Sequence, residues 1–388
     1  MELLLSLVTW LFLIPVIGGS VYGILCVFTI WLFRTRQPSA SSPSFAHLPP
    51  VTILKPVCGL EKNLEDNLRS ACLQDYPEFQ VVFSVQNLDD PAIPVLKEIQ
   101  QEHPERVSVA IDNRSAGLNG KINNLLGALP HALHDILVIS DSDIHLEQDY
   151  LRNIVPPLAD PMVGFVCTPY KAISAKRWFE KLALLTLNAD FIPGVIFAYV
   201  TGTAKFCLGS SVAFRRSSLD EMGGLESLAD YLVEDYEMGR RLWVSGKRVV
   251  LMPHIVKTVV DLKDAFQWWN HQVCWDQKTH AANPPGFIAA IMIKSVPLAV
   301  LLAICRLGDP TGWAVLGGAL LLRLATAALI LGWGLQDREG LKSLALLPLR
   351  DMAGLVFWAL ALAKKKVVWR GSRMIVNRDG RLARWESP

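Results

Sequence analysis

Val138-Ile139-Ser140-Asp141-Ser142-Asp143 is an apolar, β-branched run that ends in a D-x-D, and its reading decides the fold. Such a run reads as a buried strand, which puts two carboxylates at i and i+2 where the strand gives way to a loop. Hard cations such as Mg²⁺ or Mn²⁺ take oxygen ligands and bind through one or two carboxylates plus substrate phosphates. Asp141 and Asp143 are therefore candidate metal ligands, and a nucleotide-sugar diphosphate would supply the phosphates. An acidic pair at a strand end is also common surface chemistry, so its neighbours decide what it means.

Upstream, Val51-Thr52-Ile53-Leu54-Lys55-Pro56 reads as a strand ended by proline, with Gly59 and Glu61 in the loop behind it. Val81 to Gln86 is a second strand, ending at Asp89-Asp90-Pro91, and Val107 to Ile111 is a third. Helical spacing occupies Leu64 to Leu73 and Ile93 to Glu102. Alternation of this kind predicts an α/β fold with a mostly parallel sheet. Ligands of such sheets bind at the carboxyl ends of strands, where both acidic clusters fall. Further on, Glu234-Asp235 opens an amphipathic segment after Gly223-Gly224-Leu225. An acid pair there suits the helix dipole. Alongside two other carboxylate sites, one of the pair is also a candidate general base.

In this order the motifs resemble the membrane-bound GT-A glycosyltransferases, specifically the ceramide glucosyltransferase family (glycosyltransferase family 21), which includes bacterial enzymes that glycosylate hopanoids. The matching text is Leu54-Lys55-Pro56 with Gly59, Val85-Gln86 with Asp89-Asp90-Pro91-Ala92-Ile93, Gly117-Leu118-Asn119-Gly120-Lys121-Ile122-Asn123-Asn124-Leu125, Asp141-Ser142-Asp143, Val200-Thr201-Gly202 with Lys205-Phe206, Gly223-Gly224-Leu225 and Glu234-Asp235-Tyr236. The resemblance implies a GT-A (Rossmann-like) catalytic domain with a mixed, mostly parallel sheet, flanked by N- and C-terminal transmembrane helices. It implies that Asp90 holds the uracil or ribose of UDP and that Asp141 with Asp143 binds metal and diphosphate. Asp235 would deprotonate the acceptor hydroxyl. Lys55, Lys121 and Asn123 are similar to nucleotide-side contacts, although a lysine after a strand can equally be a solvated cation. The activity implied is transfer of a hexose, glucose or N-acetylglucosamine, from a UDP-sugar to a ceramide-like or hopanoid hydroxyl. A divalent metal would stabilise the leaving diphosphate while the base acts on the opposite face, giving single-displacement inversion by analogy with inverting glycosidases. A processive polysaccharide synthase shares the core but expects more membrane segments. A non-catalytic membrane scaffold is the alternative of another class.

One element departs from the family. Its Q/R-x-x-R-W reads His271-Gln272-Val273-Cys274-Trp275 here. Trp275 is retained and counted among the binding residues, but Cys274 stands where arginine is expected, and a thiol cannot replace bidentate phosphate recognition. Lys278, one turn on, is a candidate substitute.

Composition points to a membrane. Apolar residues make up 51% of the 388, and mean hydropathy is positive. Leu3 to Phe33 exceeds the ~20 residues a spanning helix needs, and Arg34 and Arg36 place its end in the cytoplasm. The expected domains are an anchor over 1–36, a Pro/Ser-rich linker over 37–50, a cytoplasmic GT-A domain over 51–286, a membrane region over 287–363 and a basic cytoplasmic tail over 364–388. The localisation expected is the bacterial inner membrane or an equivalent. The membrane region should hold two crossings plus one re-entrant or interfacial segment. Arg350-Asp351 in an otherwise apolar run marks 341–363 as the segment that does not cross. Lys176 to Val200 reads either as a buried helix or as an interfacial element admitting a lipid acceptor. A net charge of +2 and the lack of an aromatic-basic ladder give no case for nucleic acid. Seven scattered cysteines without C-x-x-C fit reduced thiols, not disulfides or zinc.

Overall fold

The computed structural model describes residues 2–35, 47–363, 366–369, 372–377 and 379–385. Arg36, most of the expected linker, Lys364 and Lys365, Arg370, Gly371 and Arg378 lie outside the described residues. The chain divides into two compact units: a helical unit of Met1–Arg36, Ala172–Thr203 and Leu262–Gly371, and a sheet unit of Gln37–Lys171, Ala204–Asp261 and Ser372–Pro388.

The strands are β1 (Val51–Pro56), β2 (Phe79–Val85), β3 (Val107–Ile111), β4 (Ile136–Ser140), β5 (Ile144–His145), β6 (Val163–Cys167), β7 (Tyr170–Ile173), β8 (Ser211–Arg215), β9 (Arg248–Leu251), β10 (Val256–Val259), β11 (Lys366–Trp369), β12 (Ser372–Val376) and β13 (Leu382–Arg384). Seven of them form one sheet in the order β3-β2-β1-β4-β8-β6-β9. β1 pairs parallel with β2 and β4, β2 with β3, and β6 with β9. β8 runs against both β4 and β6, so six strands share one direction. Every residue of β1, β2, β4 and β6 is buried. Helices cover both faces of such strands, which is why their sequences read as unbroken Val/Ile runs and not as alternation. The register of β1 on β4 sets Ile53 beside Val138 and Leu54 beside Ile139, so Lys55 and Asp141 emerge at the same edge. The segments expected as helices form Leu64–Cys72 and Ile93–Glu102. β5 pairs antiparallel with β10, opposing Ile144 to Thr258.

Among the described residues, the helical unit holds four helices long and apolar enough to cross a membrane: Ser6–Thr35, Trp178–Val200, Pro310–Gly334 and Leu344–Ala363. A fifth apolar stretch is broken, Pro284–Ile293 and Ser295–Cys305 meeting at 55°. The bend falls at Lys294 in the earlier segment, and the segment that carries Arg350 and Asp351 is one continuous apolar helix. The reason is pairing. Arg350 contacts Asp351 at 3.1 Å and Asp190 at 2.7 Å, and Arg323 contacts Asp351 at 2.9 Å, so these charges neutralise one another inside the unit.

The expected 51–286 domain is divided as well. Residues 172–203 and 262–286 group with the apolar helices because they carry an apolar helix of their own and the aromatic-rich helix Ala265–Ala282. Residues 372–385, expected as part of a tail, fold as a hairpin of the sheet unit, with Met374 opposite Arg384 and Val376 opposite Leu382.

Candidate active site

At the end of β4, Asp141 donates its N–H to Ser210 O (3.0 Å), and its own carbonyl accepts from Ile144 N (3.2 Å). The D-x-D is therefore a closed turn. Lys55 pins it from beneath. Fully buried, its Nζ donates to Asp141 O and Ile144 O, each at 2.8 Å, and to Ser140 Oγ at 3.3 Å. Burial pulls this ammonium down to about 8, against the pull of Asp143 and Asp141. A residue expected on the nucleotide side is here engaged by the turn that presents the carboxylates. Ser142 Oγ donates to Glu61 Oε2 (2.6 Å), and Thr258 Oγ1 donates to Asp143 Oδ2 (2.9 Å). Burial pushes the Asp141 carboxyl up to about 6, with Lys121 opposing and Asp143 adding to the shift. The Asp143 carboxyl also moves up, by burial and then by the charge of Glu61.

Lys121 sits in the first turn of helix Gly120–Ala128, whose N-cap Asn119 accepts from the N–H groups of Lys121 (3.0 Å) and Ile122 (3.2 Å). Its Nζ meets Asp141 Oδ1 at 2.6 Å, Glu234 Oε1 at 3.4 Å and Gly209 O at 2.9 Å. Burial opposes its charge, but Asp141 and Glu234 together hold its pKa above the ordinary lysine value. Asn119 Nδ2 donates to Glu234 Oε2 (3.0 Å) and Tyr231 O (2.9 Å). One lysine and one asparagine thus join the strand-end aspartate to the acid pair that opens helix Glu234–Val244.

Asp235 stands in the first turn of that helix. Its Oδ2 accepts from Gly209 N at 2.9 Å and its Oδ1 from Tyr236 N at 2.8 Å. Burial pushes its carboxyl up to about 6, Glu234 adding to the shift and Lys121 resisting it. Position 209 needs glycine for space, since a Cβ there would lie 2.6 Å from Asp235 Cβ.

The other expected residues hold flanking loops. The Asp90 carboxylate accepts from Gly59 N (2.9 and 3.1 Å) and Ala92 N (2.9 Å). Asn123 Oδ1 accepts from Ala116 N (2.9 Å), and its Nδ2 donates to Gly117 O (2.9 Å) and Ser115 Oγ (3.1 Å). Trp275 belongs to the helical unit, where its ring meets Phe191 edge-on at 5.3 Å and His271 at 5.7 Å. Burial, with Lys278 adding, brings His271 down to about 4; burial pushes the Cys274 thiol up while Lys278 opposes. The sequence reading passed over Asn119, Thr258 and Glu61 as site residues. Asn119 carried a signal, an asparagine directly before a helix; Thr258 carried none, because an antiparallel pairing brings it to Asp143.

Among the described residues no three His, Cys, Asp or Glu side chains converge as a preformed metal cage. The donor set present, two half-buried carboxylates on one turn, suits a hard cation completed by substrate phosphates.

A solved structure shares this architecture: a mannosyltransferase from Pyrobaculum calidifontis in complex with GDP-Man and Mn2+, with a TM-score of 0.55 over 91% of this chain and 98% of that one, at 21% identity. The fold is GT-A. Among relatives, ceramide glucosyltransferase 3 of Caenorhabditis elegans is 28% identical over 250 residues, 61% of this chain and 53% of the relative. The ceramide glucosyltransferase of Pyricularia oryzae is 25% identical over 292 residues, 59% of this chain and 58% of the relative. This chain thus matches little more than half the length of either relative. The sequence model of glycosyl transferase family 21 matches residues 10–382, motifs and apolar helices alike, and the chain belongs to that family.

Proposed function

We propose that the chain is a membrane-bound inverting transferase that moves a hexose, glucose or N-acetylglucosamine, from a UDP-sugar to the hydroxyl of a ceramide-like or hopanoid lipid. The carrying observation is the reach of Lys121, which is ion-paired to both Asp141 and Glu234. A cation-binding turn and a candidate base thereby share one cleft of the sheet unit. The ceramide glucosyltransferase relatives support a lipid acceptor, and the mannosyltransferase complex with GDP-Man and Mn2+ supports a nucleotide-sugar donor.

In this reading Asp141 and Asp143 hold Mg²⁺ or Mn²⁺, which supplies positive charge to the departing diphosphate. Lys121 neutralises part of the same cleft. Asp235 takes the acceptor proton; a carboxyl raised to about 6 is still ionised near neutrality and is a stronger base than an ordinary aspartate. Asp90 and Asn123 fix the two loops beside the donor, and Lys55 fixes the D-x-D turn. The sheet unit faces the cytoplasm, a placement supported by Arg34 at the end of the first apolar helix.

The test is transfer of label from UDP-glucose and UDP-N-acetylglucosamine to extracted lipids, with the product identified by mass spectrometry. Label appearing in a lipid with wild type and not with Asp235→Asn supports the reading. Label in neither, with folded protein and Mn²⁺ present, refutes it.

A further inference from the structure

The segment Ala229–Leu232 ends one residue before the acid pair and lacks a helix or sheet of its own beyond one isolated bridge. Two different parts of the sheet unit hold it. On one side is the loop before helix Gly120–Ala128: Asn119 N donates to Ala229 O (2.7 Å), Asn119 Nδ2 to Tyr231 O (2.9 Å), and Leu118 N to Asp230 Oδ1 (3.0 Å). That contact is tight, since a Cβ at Gly117 would lie 2.5 Å from Asp230 Oδ1 and 2.6 Å from Ala229 O. On the other side is the β12–β13 hairpin. Leu382 N donates to Asp230 O (2.6 Å), Leu232 N donates to Gly380 O (3.1 Å), and Tyr231 bridges antiparallel to Arg381. The Tyr231 ring is also contacted by two guanidiniums, Arg381 at 5.2 Å and Arg241 at 5.4 Å, a favourable placement for cations over an aromatic face.

We propose that the C-terminal hairpin, through Arg381 and the backbone of Gly380 and Leu382, is a positioning element of the transfer site: it clamps Ala229–Leu232 from outside so that Glu234 and Asp235 stay in register with Lys121 and Gly209. The inference rests on the reading of Asp235 as the acceptor base. Its physical basis is strand addition, in which main-chain hydrogen bonds order a segment that has no ladder of its own. Ala229 and Leu232 are buried, and the main-chain bonds add register to that packing. An open surface groove lined by Gly117, Leu118, Asp230, Leu382 and Arg384 runs between the loop and the hairpin. Asn119 then transmits the position, because the same amide nitrogen bonds Tyr231 O and Glu234 Oε2. Arg381 and Tyr231 are thus positioning residues: they reach the base only through the backbone and Asn119.

The experiment uses the full chain in detergent and the variants Arg381→Ala, Arg381→Lys, Tyr231→Ala and Tyr231→Phe. Arg381→Ala and Tyr231→Ala should lower kcat at least tenfold while the KM for UDP-sugar stays within threefold. Both should also move the acid limb of the pH–rate profile that Asp235 sets. Arg381→Lys and Tyr231→Phe, which keep a cation and a ring, should recover most of the loss. Independently of turnover, hydrogen exchange at Leu232 and Tyr236 N–H should rise at least tenfold in Arg381→Ala. Unchanged exchange and an unmoved acid limb overturn the proposal. So does a loss in which kcat and donor KM worsen together with the unfolding temperature, for that is a purely structural role. A wild type that transfers no sugar, with the exchange result as expected, refutes the assignment of the base and leaves the clamp standing.

Discussion

Asp235→Asn tests the chemistry most directly, because it changes proton affinity while leaving the shape of the side chain almost intact. The carboxylate accepts two N–H groups, from Gly209 at 2.9 Å and Tyr236 at 2.8 Å. Asparagine offers one oxygen, so one of these donors loses its partner, at a cost of about 1–3 kcal/mol if the group stays dry. That cost falls on the local fold and on free and donor-bound enzyme alike. It therefore reduces stability without touching the rate ratio. The rate loss comes from the missing base, which contributes ~10²–10⁴, about 2.7–5.4 kcal/mol at 1.36 kcal/mol per decade. The donor is not held by this group, so KM for UDP-sugar should change only a few-fold. The wild-type rate should rise with pH and level off above about 6, the point to which burial and Glu234 push the Asp235 carboxyl. Steady-state kinetics across pH with labelled donor reads all three quantities. Turnover near wild type in Asp235→Asn, or an acid limb that persists in it at the same pH, refutes the assignment and moves the base to Glu234 or elsewhere.

Asp141→Ala and Asp143→Ala should each abolish transfer and weaken UDP binding in a Mn²⁺-dependent manner, measured by calorimetry with and without EDTA; UDP binding indifferent to EDTA and to both changes ends the metal assignment. Cys58 is exposed in the sheet unit, so a membrane-impermeant maleimide should label it in inverted vesicles and spare it in intact cells, the reverse placing that unit outside the cytoplasm. Asp351→Ala leaves Arg323 and Arg350 with Asp190 alone, and breaking a buried charge network costs ~3–5 kcal/mol; a denaturation midpoint within error of wild type would show that these charges are hydrated.

The catalytic half of the fold was legible because its signals are local. A Val/Ile run that stops at Asp141, another that stops at Pro56, and helical spacing between them fix the strand ends, and the strand ends fix where the carboxylates go. What was not legible depends on partners far away in sequence. Arg350-Asp351 reads as a break in an apolar run until Arg323 and Asp190 are seen beside it. The arginines beyond residue 369 read as a solvated tail, since nothing in their own sequence announces that Arg381 will meet Tyr231. Lys55 and Lys121 look alike as text, each a lysine at the edge of a motif. Their acceptors separate them: neutral oxygens of the D-x-D turn for Lys55, carboxylates for Lys121.

That difference leads to a last prediction, on stability. The site brings Asp141, Asp143, Glu234 and Asp235 near one another, and Lys121 is ion-paired with two of them, Asp141 and Glu234. Asp141 and Asp235 have folded-state pKa values of about 6 against an ordinary 3.8. The sign follows from proton linkage: between pH 3.8 and 6 the folded protein binds more protons than the unfolded chain, so stability falls as pH rises through that window. For Asp235 alone the shift corresponds to about 3 kcal/mol at 1.36 kcal/mol per pKa unit. In EDTA the unfolding temperature of the full chain should therefore drop between pH 5 and pH 7.5, and Asp235→Asn should flatten the slope. Added Mn²⁺ should restore more stability at pH 7.5 than at pH 5, because it binds the ionised carboxylates and not the protonated ones. The same imbalance bears on the donor, since a diphosphate entering this cleft without a counter-cation would add negative charge to negative charge. A wild-type slope that matches the variant's, or a Mn²⁺ shift equal at both pH values, would refute the raised carboxyl pKa values on which the prediction rests.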